Sequence, residues 1–159
     1  MSGPLTDEQL ARWALWKQAT DVVMRQVAQE IAAVTGLSSA DFSVLTRLVE
    51  EGGGALRQQR LADDLRWQRS RLSRHLGRME ARGLITREGT GPQRWIAATR
   101  TARRLVVEAR VAHADAVRRH LLDVIPSQDA DLFWTLIEAV AGPGVRLEQT
   151  RIDTPGGIH

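Results

Sequence analysis

Several residue types are missing or scarce in this 159-residue chain, which has no cysteine, no tyrosine and a single lysine. The absence of cysteine excludes disulfides, thiolate-bound metals and thiol-based redox sensing. No uninterrupted apolar stretch approaches the roughly 20 residues of a membrane-spanning helix, and the N-terminus lacks the apolar core of a signal peptide. We therefore expect a soluble, cytoplasmic protein that forms one domain or one compact subunit of an assembly.

Arginine, in contrast, is abundant and unevenly distributed. Residues 55–104 hold thirteen arginines against four acidic residues, a net charge of +9. The rest of the chain has nine basic and fifteen acidic residues, a net charge of −6. Such asymmetry concentrates a positive potential where a polyanion would bind. The alternative interpretation of the same residues is an ordinary solvated charged face.

The most informative arginines lie in a segment with helical periodicity, about 69–82. Leu72, Leu76 and Met79 recur at i, i+4 and i+7, so one face of this helix can be buried. A helix about 10–12 Å across fits the major groove of DNA, where arginine and serine can bond base edges or phosphates. The candidate base-reading residues are Arg69, Ser70, Arg71, Ser73 and Arg74.

The residues before this helix complete a helix-turn-helix pattern. A short helix is predicted over 58–65, and Arg66-Trp67-Gln68 forms the turn. Three peripheral arginines, Arg57, Arg60 and Arg78, are expected to contact phosphates and set the register of the protein on DNA. Residues 55–57 are compatible with a short strand.

The residues after the helix predict a β-hairpin over about 84–99. Apolar and β-branched residues flank the Gly/Pro-rich loop from Gly89 to Arg94. A hairpin directly after a recognition helix is a wing. Arg94, at its tip, is expected to reach the neighbouring minor groove, whose negative potential attracts arginine.

The N-terminal region predicts a long helix, opened by a capping box from Thr6 to Gln9 and ended by Gly36. Its apolar stripe from Trp13 to Val34 is longer than a small domain needs to bury one helix. We therefore expect this helix to pair with a second subunit. Ser38 is expected to cap the next helix.

The C-terminal region predicts two further helices. The first begins at Thr99 or Thr101 and runs to about Val124, where Pro126 breaks it. Ser127 is expected to cap the last helix. Residues 143–159 are short on apolar residues and rich in Gly and Pro, so a flexible tail is expected.

These elements predict a mainly α fold with a small β-hairpin wing (α+β), a winged helix-turn-helix with terminal helices that dimerise. The expected parts are an N-terminal dimerisation helix (1–37), a winged helix-turn-helix DNA-binding lobe (38–100), C-terminal dimerisation helices (101–142) and the tail (143–159).

The order of elements resembles the MarR (multiple antibiotic resistance regulator) family of bacterial transcription factors. The resemblance covers residues 6–142. It is most specific over 61–88. The segments similar to the family's core are Leu61-Ala62, Leu65-Arg66-Trp67, Ser70 to His75, Arg78-Met79-Glu80 and Arg82 to Ile85. It implies a homodimer that binds near-palindromic double-stranded DNA, by default as a repressor. Members of the family often bind a small aromatic or phenolic effector between the dimer core and the DNA-binding lobe, so the resemblance implies such an effector here.

An effector pocket can be tied to particular residues. Five tryptophans in a chain without tyrosine suggest a cleft for a planar molecule, with charged residues as polar partners. The candidate lining residues are Trp13, Trp16, Asp63, Trp67 and Arg104. The alternative is structural: Trp67 belongs to the core at the turn, and Trp13 and Trp16 anchor a dimer interface.

Other functions have weaker support in the sequence. His113 and His120 share a helix face without an obvious set of further ligands, so no metal or other cofactor is expected. Ser70, Ser73 and His75 lack a nucleophile-elbow motif and are expected to stand on an exposed basic helix, so an enzyme is not expected. Two alternatives to an operator-binding regulator remain: a chromatin-type protein that binds DNA without sequence preference, and a winged-helix protein-interaction module.

Overall fold

The structure is a computed structural model that describes residues 3–142. The predicted tail, 143–159, lies outside the described residues. The described part has six α-helices and three short strands. In chain order these are α1 (Asp7–Thr35), α2 (Ser39–Glu50), β1 (Ala55–Arg57), α3 (Gln58–Leu65), α4 (Arg69–Ala81), β2 (Ile85–Glu88), β3 (Trp95–Ala98), α5 (Arg100–Val117) and α6 (Ala130–Ala141).

The first two helices begin at capping boxes. The Gln9 amide donates to the Thr6 hydroxyl at 3.2 Å, and the Thr6 amide donates to the Gln9 side-chain oxygen at 2.9 Å. Ser38 and Asp41 exchange the same pair of bonds at the start of α2. Gly36 ends α1 in the left-handed conformation, with a φ of 69°. These boundaries were predicted from the sequence, and the structure confirms them because capping residues satisfy the free amides of a first helical turn.

The three strands form one antiparallel sheet in the order β1-β3-β2. Leu56 of β1 is paired with Ile96 of β3, and Ile85 of β2 is paired with Ala98 of β3. The predicted hairpin is therefore present, and its loop contains a single 3-10 turn at Gly91–Gln93. The sequence left β1 without a partner, whereas the structure makes it the third strand that ties the wing to the helices.

The core lies between the sheet and the helices of the winged-helix part and continues between α1 and α5. Its largest fully buried apolar side chains are Leu37, Val44, Leu45, Leu48, Leu61, Leu72, Leu76, Met79, Ile85, Ile96 and Val106. Ala109 and Ala116 of α5 are also fully buried, and such small side chains allow close approach of a neighbouring helix. The mainly α winged-helix fold with a small antiparallel sheet is thus confirmed.

The described part of the chain divides into two compact units, residues 3–121 and residues 122–142. Helix α5 ends at Val117, and a π-helical turn follows over Arg118–Leu122, across the boundary between the two units. The prediction of one regular helix to Val124 was therefore wrong. At this turn the consecutive residues Arg119 and His120 both bind the Glu30 carboxylate of α1.

In the second unit, Ser127 does not cap the last helix as predicted. Residues Ser127–Asp129 form a 3-10 turn, and α6 begins only at Ala130, without a side-chain cap. Among residues 3–142, none of the helices has both the length and the apolar character that crossing a bilayer requires.

Candidate nucleic-acid interface

Helix α4 has one buried face and one exposed basic face. Leu72, Leu76 and Met79 are fully buried, as their spacing predicts. On the other side of the helix, Arg69, Ser70, Arg71, Arg74 and Arg78 are exposed, and Ser73 is half-buried. The apolar face therefore fixes the helix to the core while the arginines face solvent, which is the arrangement that groove binding requires.

The turn before α4 is built around an unusual residue. Arg66 is the one non-glycine residue of 3–142 with a positive φ, at 53°. Its amide donates to the Asp63 carbonyl at 3.1 Å, and the Trp67 amide donates to the Ala62 carbonyl at 2.9 Å. This pair of bonds is a Schellman motif, in which glycine normally occupies the left-handed position. The motif ends α3 sharply, so that α4 can start after two further residues.

The start of α4 itself has no side-chain cap, because the Gln68 side chain makes no capping bond. The amides of a first helical turn then remain available to an outside acceptor, and the helix dipole favours an anion there. Arg71 lies beside this end, with its guanidinium carbon 4.4 Å from the centre of the Trp67 ring. Stacking on a tryptophan orders an arginine side chain while leaving its hydrogen-bond donors free.

The base of the wing holds a second stacked arginine. Arg57 lies 4.8 Å from the centre of the Trp95 ring, and its Nη1 donates to the Gln93 carbonyl at 3.1 Å and to the Gln93 side-chain oxygen at 2.8 Å. Arg94 is half-buried, and its Nε donates to the Gly89 carbonyl at 3.0 Å. Both arginines are thus held by the wing loop, and Arg94 is less exposed than a free loop tip would be.

Two ion pairs tie other arginines to their surroundings. Arg60 makes an i, i+4 pair with Asp64 at 3.3 Å on α3. Arg87 of β2 donates from Nε to the Glu80 carboxylate of α4 at 2.7 Å, and this bond lowers the pKa of Glu80 below its ordinary value. The second pair links α4 to the first strand of the wing.

A buried polar cluster lies behind α4. Asp41 is 1% exposed and accepts hydrogen bonds from Arg82 Nη1 at 2.7 Å and from the Ser38 amide at 2.9 Å. Burial acts to raise the pKa of Asp41, but the bonds from Arg82 and Ser38 outweigh it and the pKa is lowered. Arg82 also donates to the Gly36 carbonyl at 3.0 Å. The cluster therefore connects the end of α4 to the junction between α1 and α2.

The sequence missed this cluster. His75 was expected on an exposed basic helix, but it is 8% exposed and lies 3.1 Å from Asp41 through its Nε2. The spacing of His75 was the available signal for its burial. It lies three residues after Leu72 and four before Met79, so it shares their buried helix face. Asp41 and Arg82 are far apart in the sequence, and no local pattern joins them.

The five candidate effector residues are spread over three helices and one turn. Trp13 and Trp16 of α1, Asp63 of α3 and Arg104 of α5 are exposed, and Trp67 is half-buried. Within residues 3–142, these five side chains make no hydrogen bond, ion pair or ring contact with one another; Arg104, for example, lies 3.9 Å from Glu108. The same part of the chain has no group of three or more histidine, aspartate or glutamate residues placed to hold a metal ion.

Comparisons with known proteins point to one fold. A family model described as a domain of unknown function (DUF7343) matches residues 37–98, which span the winged-helix part. No curated protein matches the chain by sequence.

Solved structures match over most of the chain. AbsC from Streptomyces coelicolor, described as a MarR family transcriptional regulator, superposes with a TM-score of 0.73 at 24% identity, over 88% of this chain and 96% of its own. Sco3205 from the same organism, described as a MarR family transcriptional regulator in complex with DNA, superposes with a TM-score of 0.71 at 21% identity. The match covers 89% of this chain and 90% of Sco3205.

A third solved structure carries a ligand. CouR from Rhodococcus jostii RHA1, described as bound to p-coumaroyl-CoA, superposes with a TM-score of 0.62 at 25% identity, over 83% of this chain and 92% of its own. All three likenesses extend well beyond the winged-helix part. In its fold, the chain is a winged-helix protein of the MarR type.

Proposed function

We propose that this protein is a homodimeric DNA-binding transcriptional regulator that binds a near-palindromic operator and represses by occupying it. The observation that carries the proposal is the exposed arginine face of α4, in the fold of a regulator described in complex with DNA. Arg69, Arg71 and Arg74 occupy the N-terminal half of the helix, which meets base edges in helix-turn-helix docking. Arginine there makes bidentate contacts to guanine.

The remaining basic residues supply affinity without sequence information. Arg78 extends the basic face of α4 by one turn beyond Arg74, and Arg57, Arg60 and Arg94 lie on or beside the wing. Contacts of this kind neutralise phosphates and fix the register of the protein. Each phosphate neutralised contributes about −0.9 to the slope of log affinity against log salt, so we expect a steep salt dependence.

Dimerisation is proposed from the exposed apolar side chains of the helices outside the winged-helix part. Trp13 and Trp16 of α1 are 53% and 44% exposed, and Leu136 of α6 is 56% exposed. Large apolar side chains that stay exposed in a single copy indicate surfaces that a partner covers. A two-fold dimer would place two α4 helices about 34 Å apart, one turn of DNA, which matches the half-site spacing of a palindrome.

The direct test is a gel-shift titration with DNA flanking the gene, searched for an inverted repeat. Arg71→Ala and Arg74→Ala should each lower operator affinity by about tenfold or more while the dimer stays folded. Arg12→Ala, an equally charge-reducing change on the exposed part of α1, is the matched control and should leave affinity unchanged. Unchanged affinity in both α4 variants would remove the basis of the proposal.

The same titration separates the alternatives. A regulator should prefer its operator to unrelated DNA by about 10³-fold or more. Equal binding to unrelated DNA would indicate a chromatin-type protein, and no shift with any DNA would indicate a protein-interaction module.

We further propose that a planar aromatic molecule releases the protein from DNA. The support is the bound p-coumaroyl-CoA of a structural neighbour, together with the five tryptophans of this chain. Trp13, Trp16, Asp63, Trp67 and Arg104 remain the candidate residues. Aromatic carboxylates should quench tryptophan fluorescence of the dimer and weaken the operator shift. A broad panel without either effect would argue against an aromatic effector.

A further inference from the structure

We propose that His75 is a positioning residue for DNA binding: its Nδ1 holds the guanidinium of Arg78, and Asp41 keeps the ring in the form that can do so. This inference rests on the proposed function, because Arg78 matters only if α4 binds DNA. It adds a role for two buried residues behind the interface, and it makes operator affinity depend on the protonation of one histidine.

The geometry defines which nitrogen of His75 carries the proton. Arg78 Nη2 lies 3.1 Å from His75 Nδ1. An arginine can only donate, so Nδ1 must be the accepting nitrogen of a neutral ring. The proton is then on Nε2, which faces the Asp41 carboxylate oxygen Oδ1 at 3.1 Å. The buried carboxylate thus selects the tautomer that Arg78 requires.

The contact between His75 and Asp41 has no competitor in the described part of the chain. Asp41 Oδ1 and His75 Nε2 are both buried, and neither atom has a hydrogen-bond partner in that part of the chain. They are 3.1 Å apart, but the angles at the two atoms are outside hydrogen-bond geometry. Their attraction is therefore mainly electrostatic, and a small rotation of either side chain would align the bond. A buried carboxylate oxygen facing a ring N–H needs that proton, because water does not reach it.

The groups around the ring decide what protonation would do. Asp41 faces it from α2, Arg78 faces it from α4, and Arg82 faces it from the position directly after α4. The Trp67 ring meets it edge-on, with 5.6 Å between the ring centres. A second proton would go to Nδ1, where it replaces the lone pair that accepts from Arg78. The hydrogen bond would be lost, and two cations would face each other at the same distance. Burial lowers the pKa of His75, against the opposing effect of Asp41, so the neutral ring is favoured near neutral pH.

Fixing Arg78 has a consequence for DNA binding. Arg78 is exposed and lies four residues after Arg74 on the basic face of α4. A long side chain that is already held loses less conformational freedom when it binds a phosphate. Arg78 offers several N–H donors, so the bond to His75 leaves others for the phosphate. The contribution of His75 to affinity should therefore pass through Arg78.

The test is a double-mutant cycle on operator affinity at pH 7.5, with His75→Leu, Arg78→Gln and the double variant. We expect His75→Leu to weaken binding about three- to tenfold, the range of a partly exposed charge-assisted contact. The double variant should bind no more weakly than Arg78→Gln alone. Effects of the two changes that simply add would overturn the inference, since a purely structural role of His75 predicts additivity.

A pH series supplies the second readout. Wild-type affinity should fall more steeply than that of Arg78→Gln as the pH drops below the ordinary histidine value of 6.5 and through the lowered pKa of His75, because only the wild type loses the bond between His75 and Arg78. His75→Asn keeps an amide oxygen near the position of Nδ1 without a titrating group, so it should retain affinity at pH 7.5 and lose the extra pH dependence. His75→Asn also keeps the inference testable if His75→Leu fails to fold. Parallel pH profiles of wild type and Arg78→Gln would overturn the inference.

These outcomes are separable from a failure of the proposed function. A wild-type protein that shifts no DNA at all would overturn both ideas. A protein that binds its operator, loses affinity in Arg71→Ala and yet gives additive effects in the cycle would overturn the role of His75 alone.

Discussion

The winged-helix part of the molecule and the N-terminal half of α1 differ in where their apolar side chains lie. In the first, Leu45, Leu72 and Leu76 are fully buried, and the exposed face of α4 is arginine-rich. In the second, Leu15 is 67% exposed and Trp16 is 44% exposed. One region completes its core within the chain, whereas the other presents apolar surface that a single copy leaves in water.

This difference implies different roles for the two regions. A region with a closed core can hold charged side chains in fixed positions, as α4 does. A region with open apolar surface gains stability from a partner, so its contribution depends on protein concentration. We expect mutations to separate the two regions by the kind of effect as well as by its size.

The largest effect is expected from the closed core. Leu76→Ala should lower the free energy of unfolding by about 2–5 kcal/mol, because it removes buried methyl groups and leaves a cavity among close-packed neighbours. Leu15→Ala is the matched control, since it makes the same change at an exposed position of α1 and should cost less than about 1 kcal/mol within one copy. Urea denaturation followed by circular dichroism measures both. Equal losses would erase the distinction between the regions.

A second large effect is expected at the buried polar cluster. Asp41→Ala should lower the free energy of unfolding by about 3 kcal/mol, because it removes the carboxylate half of the α2 capping box and leaves the Arg82 guanidinium without its carboxylate. Asp21→Ala, at an exposed position of α1, is the control and should be nearly neutral. Denaturation at pH 7 measures the difference.

The cluster also predicts a pH dependence. The pKa of Asp41 is lowered in the folded chain, so its stabilising effect is complete above its ordinary value near 3.8 and is lost as the pH falls through the lowered value. The stability difference between wild type and Asp41→Ala should therefore shrink as the pH falls below 3.8. A difference that stays constant over that range would contradict the assigned ion pair.

An effect of a different kind is expected at the open surface. Trp16→Ala should raise the dissociation constant of the homodimer by about tenfold or more, because large aromatic side chains dominate interface energetics. Trp95→Ala is the matched control, since Trp95 is 45% exposed but lies in the wing. Analytical ultracentrifugation over a concentration series measures both variants. Dimerisation that is insensitive to Trp16 would place the interface elsewhere.

The sequence predicts the elements well where local chemistry decides them. Capping residues such as Thr6 and Ser38, the i, i+4, i+7 pattern of α4 and the Gly-rich loop of the wing act over a few residues, and their predictions are confirmed. The exposed state of Arg71 and Arg74 follows from the same periodicity. Their contact with DNA remains a prediction.

The sequence fails where distant residues decide the outcome. The π-helical turn after Val117 lies where Arg119 and His120 both bind Glu30, nearly 90 residues earlier in the chain. The buried contact of His75 with Asp41, and the bond from Arg82 to the same carboxylate, join positions that no local pattern connects. In the same way, the pairing of β1 with β3 depends on the hairpin that follows. Tertiary contacts override local preference at each of these places.

The smallest predicted effect concerns two helix ends, that of α1 and that of α3. Helix α1 ends at Gly36, with a φ of 69°, whereas α3 of the winged-helix part ends at Arg66, with a φ of 53°. Arg66→Gly should raise the free energy of unfolding by about 1 kcal/mol, because glycine adopts the left-handed conformation without the steric cost of a side chain.

Gly36→Ala is the control, since it makes the opposite change at the end of α1. A Cβ there would meet no atom within 4 Å, so its expected loss of about 1 kcal/mol reflects backbone strain alone. Thermal denaturation measures the change in stability of both variants. If Gly36→Ala destabilises the protein while Arg66→Gly does not stabilise it, the Arg66 side chain must make stabilising contacts that offset its strain.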